Sequence, residues 1–216
     1  MEINHVCSLG SSCHTSFFLK RNKLKVVSYP FDRIVSNYMM VQHCIEDEFR
    51  TFLDKSYYVM TNNETRCRHT YYKEDVFYHH NPLKNKTHYE YYVRCVNRFM
   101  ELLSYPNHKM FMIMFPNMTK DEIFSNQLKE YMMEFNKTLS KNTRNYTLLV
   151  IFHYSNREEN LHSFEERNGL ENDSRIHFLE IHTMTRSNGT IFENLNDNIC
   201  FRNIIRGKYM FRIQSV

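Results

Sequence analysis

The sequence predicts an α/β fold: a mostly parallel central sheet with helices on both faces, three layers in all, built as one domain over residues 1–216. Three observations predict it. Two runs, Lys109–Phe115 and Tyr146–Phe152, are apolar at consecutive positions (Met110-Phe111-Met112-Ile113-Met114-Phe115 and Leu148-Leu149-Val150-Ile151), as strands covered on both faces require. From residue 109 to 181 strand and helix signals alternate, and right-handed crossovers between such strands make them parallel neighbours. The length, 216 residues, also suits one domain of roughly 100–200 residues.

The elements follow in chain order. Glu2–Gly10 reads as a short strand ending in Ser8-Leu9-Gly10, and Ser11 and Ser12 then cap a helix over Cys13–Asn22. Val26–Phe31 is β-branched and aromatic and reads as extended into Pro30. Val35–Leu53 has helical spacing, with Val35, Met39, Ile45, Phe49 and Phe52 on one apolar face. Ser56–His80 is polar, aromatic and rich in histidine, and reads as loop with short strands. Tyr89–Leu103 places Tyr92, Val96, Phe99, Leu102 and Leu103 on one side of a helix that Pro106 closes. A helix from Asp121 to Leu139 carries acid in its first turn, where the helix dipole favours it. Asn156–Arg167 reads as a polar helix and Arg175–Ile181 as a third strand, while Ile191–Ile213 mixes both signals.

Composition narrows the function classes. Hydrophobic residues make up 42% and charged residues 24%, which fits a folded chain and argues against disorder. No stretch approaches the roughly 18–20 apolar residues of a membrane helix. The opening Met-Glu-Ile-Asn-His-Val lacks a basic region followed by an apolar run, so no secretory signal is expected. The net charge of +4 is spread along the chain, which argues against nucleic acid as a partner. Without a Walker loop or G-x-G-x-x-G, no nucleotide cofactor is expected, nor any other. The six cysteines are irregularly spaced with no C-x-x-C pair, and Cys67, His69, His79 and His80 match no standard zinc spacing, so no metal is expected. Free thiols and a cytoplasmic location follow. Asn, Lys, Tyr, Phe and Ile are abundant and have AT-rich codons, which suggests a low-GC source such as a large DNA virus or a protist, and the host cytoplasm if viral.

Ser8-Leu9-Gly10-Ser11-Ser12-Cys13-His14 is where chemistry concentrates. A strand ending in glycine turns tightly, because glycine accepts positive φ. Cys13 then falls in the first helical turn, where the dipole favours a thiolate. The backbone N–H groups of Gly10, Ser12 and Cys13 are candidates to hold an oxyanion. The competing reading is a buried structural cysteine on an amphipathic helix. Lys20, Arg21, Lys23 and Lys25 form a basic patch that reads as a solvated helix end.

This block, with Leu19-Lys20-Arg21-Asn22-Lys23-Leu24 and Ser28-Tyr29-Pro30-Phe31-Asp32-Arg33-Ile34, resembles a family described as papain-like cysteine peptidases, whose members occur in bacteria and large DNA viruses. The family pattern resembles S-L-G-x-x-C, a basic Leu-containing stretch, and S-Y-P-F-D-W-I. Val76-Phe77-Tyr78-His79-His80-Asn81 and the helix bearing Arg94 and Arg98 are similar to its F-x-H-D and Arg-bearing helix. The resemblance covers roughly residues 5–103. Two positions depart: Arg33 stands where the family usually has Trp, and His80 or Asn81 stands where Asp usually follows the His.

The resemblance implies a cysteine hydrolase, a peptidase or isopeptidase, with Cys13 as nucleophile. His79 is the first candidate base and His80 the second. Asp32 is the candidate third member, with Asn81 a rival orienter of the imidazole and a turn role the competing reading for Asp32. The expected partner is a peptide or acyl substrate, or a host protein. A nucleophile directly after the first strand of a parallel sheet also suits a Rossmann- or SGNH-like layout, beside a papain-like α+β one. An SGNH-like esterase or acyltransferase is therefore one alternative, with Ser11 and Ser12 as rival nucleophiles. A catalytically inactive viral interaction protein is another.

Overall fold

A computed structural model describes residues 2–62, 65–119, 121–155, 163–168 and 174–214. In chain order it contains β1 (Glu2–Ile3), β2 (His5–Ser8), α1 (Cys13–Arg21), α2 (Tyr38–Glu46), α3 (Arg50–Leu53), β3 (Tyr58–Met60), β4 (Cys67–His69), β5 (Glu74–Phe77), α4 (Lys86–Ser104), β6 (Lys109–Phe115), α5 (Glu122–Asn142), β7 (Tyr146–Ser155), β8 (Ser163–Asn168), β9 (Ile176–Thr183), α6 (Leu195–Lys208) and β10 (Met210–Phe211). The main sheet runs β2-β6-β7-β9-β8. Its first four strands are parallel and β8 is antiparallel to β9. The two central runs are neighbours, with Met110 opposite Thr147 and Phe115 opposite Phe152.

Alternation of side chains explains why these runs are apolar throughout. Phe111, Ile113, Leu148, Val150 and Phe152 face one core, which α2, α4 and α5 cover. Met110, Met112, Met114, Leu149 and Ile151 face the other, which Phe18 and Leu19 of α1 and Phe201 and Ile205 of α6 cover. The sheet is thus the middle of three layers. Strands β3, β4 and β5 form a separate antiparallel sheet whose Tyr58, Cys67, Val76 and Phe77 join the first core. Strand β1 pairs in parallel with β10. Among the described residues no helix is long and apolar enough to cross a membrane.

Local chemistry sets the ends of these elements. Asn37, Asn85 and Asp121 each accept a hydrogen bond from a first-turn amide of α2, α4 and α5, the capping role short polar side chains fill. The expected helix over Val35–Leu53 is instead two helices. Glu48 and Phe49 adopt left-handed backbone (φ 55° and 60°), and this bend seats the Phe49 ring against Phe31, Phe52 and Phe99. Val35 and Met39, expected on the buried face, are exposed. Val26–Phe31 joins no strand. It leads into a turn in which Asp32 Oδ2 accepts from Tyr29 N at 2.7 Å.

The polar helix expected over Asn156–Arg167 is corrected in part. Residues 156–162 lie outside the described residues, and Ser163–Asn168 is the edge strand β8. Its six residues pair with β9 from Ser163 opposite His182 to Asn168 opposite His177. An open sheet edge outweighs weak local strand propensity.

Candidate active site

The loop between β2 and α1 is held at every step. Leu9 N donates to Met112 O at 2.9 Å, extending the parallel ladder one residue past β2. Gly10 (φ 85°) and Ser11 (φ 68°) then turn through left-handed backbone, Ser11 N donates to Ser36 Oγ at 3.2 Å, and Ser11 Oγ donates to Met114 O. Ser12 is the extended N-cap, accepting from His14 N. Cys13 is therefore the first helical residue, half-buried and reachable from solvent.

Facing it is His79, exposed on the loop after β5, with Nε2 3.7 Å from Cys13 Sγ. The two residues are 66 positions apart and follow strands of different sheets, β2 and β5. His80 points elsewhere, its ring packed among His88, Tyr91 and Tyr92 at 4.9, 4.8 and 6.3 Å between centroids. Of the two candidate histidines, the fold brings His79 to the thiol.

Asp32 does not meet His79. Its carboxylate is buried and held by Lys25 Nζ at 2.7 Å and Tyr29 N at 2.7 Å, and Lys25 also donates to Ser16 Oγ. The expected third member is thus a tether for the loop after α1, and Lys25 leaves the expected solvated patch to neutralise a buried carboxylate. Burial raises the Asp32 carboxyl above its ordinary range, against the pull of Lys25. Asn81 is likewise committed: its Oδ1 accepts from Leu83 N and Lys84 N, and its Nδ2 donates to Arg66 O. Among the described residues nothing hydrogen-bonds to Nδ1 of His79.

Of the expected oxyanion donors, Gly10 N is spent on Ser8 Oγ at 3.3 Å and turns inward. Among the described residues no group accepts from the Ser12 and Cys13 amides. Ser11 and Ser12, the rival nucleophiles, use their hydroxyls on Met114 O and the helix cap. Cys67 and His69 are buried in the small sheet, where His69 Nε2 lies 3.1 Å from Thr51 O. Among the described residues no three His, Cys, Asp or Glu groups are gathered as a metal site.

The electrostatics differ from a pre-formed thiolate. Burial raises the Cys13 thiol above its ordinary value, and Arg33 is the largest opposing influence. His79 is lowered, by burial first and then by Arg33 and Arg66. At neutral pH the two form a neutral thiol–imidazole pair.

Behind the pair lies a polar network that sequence reasoning missed. His14 Nδ1 is 2.7 Å from Ser187 Oγ, and Asn117 clamps the backbone of Ser187 through its Nδ2 and Oδ1 at 2.8 Å each. His153 Nδ1 accepts from Asn117 N at 3.0 Å, and Nε2 lies 2.7 Å from Thr183 Oγ1. These residues join the ends of β6, β7 and β9 to the first turn of α1. No spacing in the sequence links positions so far apart.

No curated protein and no solved structure matches the chain. A family described as "Putative papain-like cysteine peptidase" matches residues 4–162, a span that holds the Cys13 loop, the Asp32 turn, His79 and β2, β6 and β7, three of the five strands of the main sheet. The chain belongs to that family.

Proposed function

We propose that the protein is a cysteine hydrolase that cuts a peptide or isopeptide bond, with Cys13 as nucleophile and His79 as the proton-transfer group. The observation that carries this reading is the 3.7 Å approach of Cys13 Sγ to His79 Nε2. Because the resting pair is neutral, the thiol proton passes to Nε2 as sulfur attacks the acyl carbon. The carbonyl oxygen gains the negative charge, and the free amides of Ser12 and Cys13 at the start of α1 are the donors placed to receive it. The imidazolium returns its proton to the leaving amine, the C–N bond breaks, and a thioester on Cys13 remains. Water deprotonated by His79 then cleaves the thioester and restores the thiol.

A non-catalytic interaction protein is the second reading, favoured by one observation: among the described residues, none orients His79 through Nδ1. A fluorogenic peptide and isopeptide library separates the two. Under the first reading, a thioester on Cys13 is detected by mass spectrometry and Cys13→Ala abolishes turnover. His79→Ala lowers turnover by about 10²–10⁴, and His80→Ala leaves most of it. Turnover that persists in Cys13→Ala, or a library that never acylates Cys13, overturns it.

A further inference from the structure

We propose that Arg33 and Arg66 form an anion-recognising rim around the Cys13–His79 pair, so that the preferred substrate is a peptide carrying a carboxylate side chain beside the bond that is cut. This deepens the cysteine hydrolase reading and rests on it. The segment after Arg33 is stitched between the two halves of the pair. Val35 N donates to Val76 O of β5 at 3.2 Å, and Ser36 Oγ accepts from Ser11 N at 3.2 Å. Arg33 itself sits between Asp32 and Ile34, both buried, which fixes its backbone while its side chain stays half-buried.

Arg66 approaches from the other side. Its guanidinium carbon lies 3.5 Å from the centroid of the Tyr78 ring, and the Tyr78 ring is 5.2 Å from that of His79. A guanidinium stacked on an aromatic face keeps its N–H edge free for an in-plane acceptor. Asn81 Nδ2 donates to Arg66 O at 3.1 Å, fixing its backbone. Both guanidinium groups bear on His79, and Arg33 also bears on Cys13 and His80.

Among the described residues no carboxylate pairs with either arginine. Asp32, the acid nearest in sequence to Arg33, is taken by Lys25. Among the described residues, two half-buried cations therefore stand without a carboxylate partner near the nucleophile. A carboxylate suits them, because guanidinium forks bind its two oxygens in one plane.

Competitive alkylation tests the rim with reagents of equal size and opposite character: anionic iodoacetate and neutral iodoacetamide. In each case the sulfur–carbon bond forms and iodide leaves with the bonding pair. The same thiolate attacks both, so their rate ratio at Cys13, read by peptide mass mapping, cancels the thiolate fraction. The ratio should exceed that of free cysteine in the same buffer by about tenfold and should shrink as salt screens the charges. It should return to the free-cysteine value in the Arg33→Gln/Arg66→Gln double variant and stay high in Arg33→Lys. In the peptide library, Asp or Glu beside the scissile bond should lower KM relative to Asn or Gln, and the double variant should erase the difference. A wild-type ratio equal to free cysteine, or one that survives the double substitution, overturns the proposal. Failure of the hydrolase reading is seen separately, as iodoacetamide alkylation of Cys13 that does not slow in His79→Ala.

Discussion

Gly10 and Ser36 pack so closely that a β-carbon on residue 10 would stand 2.0 Å from Ser36 Oγ. The same glycine holds φ at 85°, so two independent constraints fall on one position. Gly10→Ala should cost at least about 1–2 kcal/mol from the left-handed backbone alone, and more from the displaced serine. Urea unfolding would measure this. Adding Ser36→Gly to Gly10→Ala should recover the steric part and leave the backbone part. Full recovery would mean that φ at residue 10 carries no cost.

The neutral thiol–imidazole pair sets a direction for reactivity against pH. Burial raises the Cys13 thiol, and Arg33 holds it down. Removing that cation with Arg33→Gln should move the iodoacetamide rate profile of Cys13 to higher pH. A profile that moves lower, or does not move, would mean that Arg33 does not face the sulfur.

Asp32 is expected to matter for stability and not for proton transfer. Asp32→Asn should lose about 1–3 kcal/mol as Lys25 and Tyr29 N lose a charged acceptor. The pH dependence of Cys13 alkylation should keep its shape apart from a small shift from the lost charge. If Asp32→Asn removes the His79 contribution as His79→Ala does, the carboxylate acts on the imidazole after all.

Acid should weaken the fold through the buried histidines. Burial lowers His153 to about 4 and His14 to about 3, from an ordinary 6.5. The native state keeps both neutral while the unfolded chain takes up protons below pH 6.5, so stability is full above that value. It falls as pH drops through 6.5 towards about 4 and about 3, by up to about 1.4 kcal/mol per pH unit for each histidine. Asp32, with its carboxyl raised, acts in the opposite sense over the lower part of that range. Urea midpoints at about pH 7, 5.5 and 4.5 would follow the loss. His14→Gln should lower stability at neutral pH and flatten the slope.

What could be read from the chain was what depends on neighbours in sequence. The runs at 110–115 and 147–152 announce buried strands because both faces of each strand meet helices, and Cys13 at a helix start follows from Gly10, Ser11 and Ser12 in succession. The bend at Glu48–Phe49 could not be read, because it depends on Phe31 and Phe99 offering a place for the Phe49 ring. His79 and His80 are indistinguishable by composition. Consecutive residues leaving a strand point to opposite sides, and only the docking of the small sheet decides which side holds Cys13. Asp32 was ambiguous between turn and triad, and Lys25, seven residues before it, decided for the turn.

The delivery of Cys13 by the parallel sheet and of His79 by the antiparallel one has a consequence for folding. The small sheet can take shape from local contacts, whereas β2 needs β6 from far along the chain, and the thiol meets its imidazole only when the two sheets have docked. Closing that 66-residue separation is a non-local event of the kind that slows folding. A nascent or partly unfolded chain would carry a sulfur with no proton acceptor beside it. The thiol–imidazole contact thus doubles as a report on the finished tertiary structure: opening the small sheet, which shares a core with the main one, would part the pair.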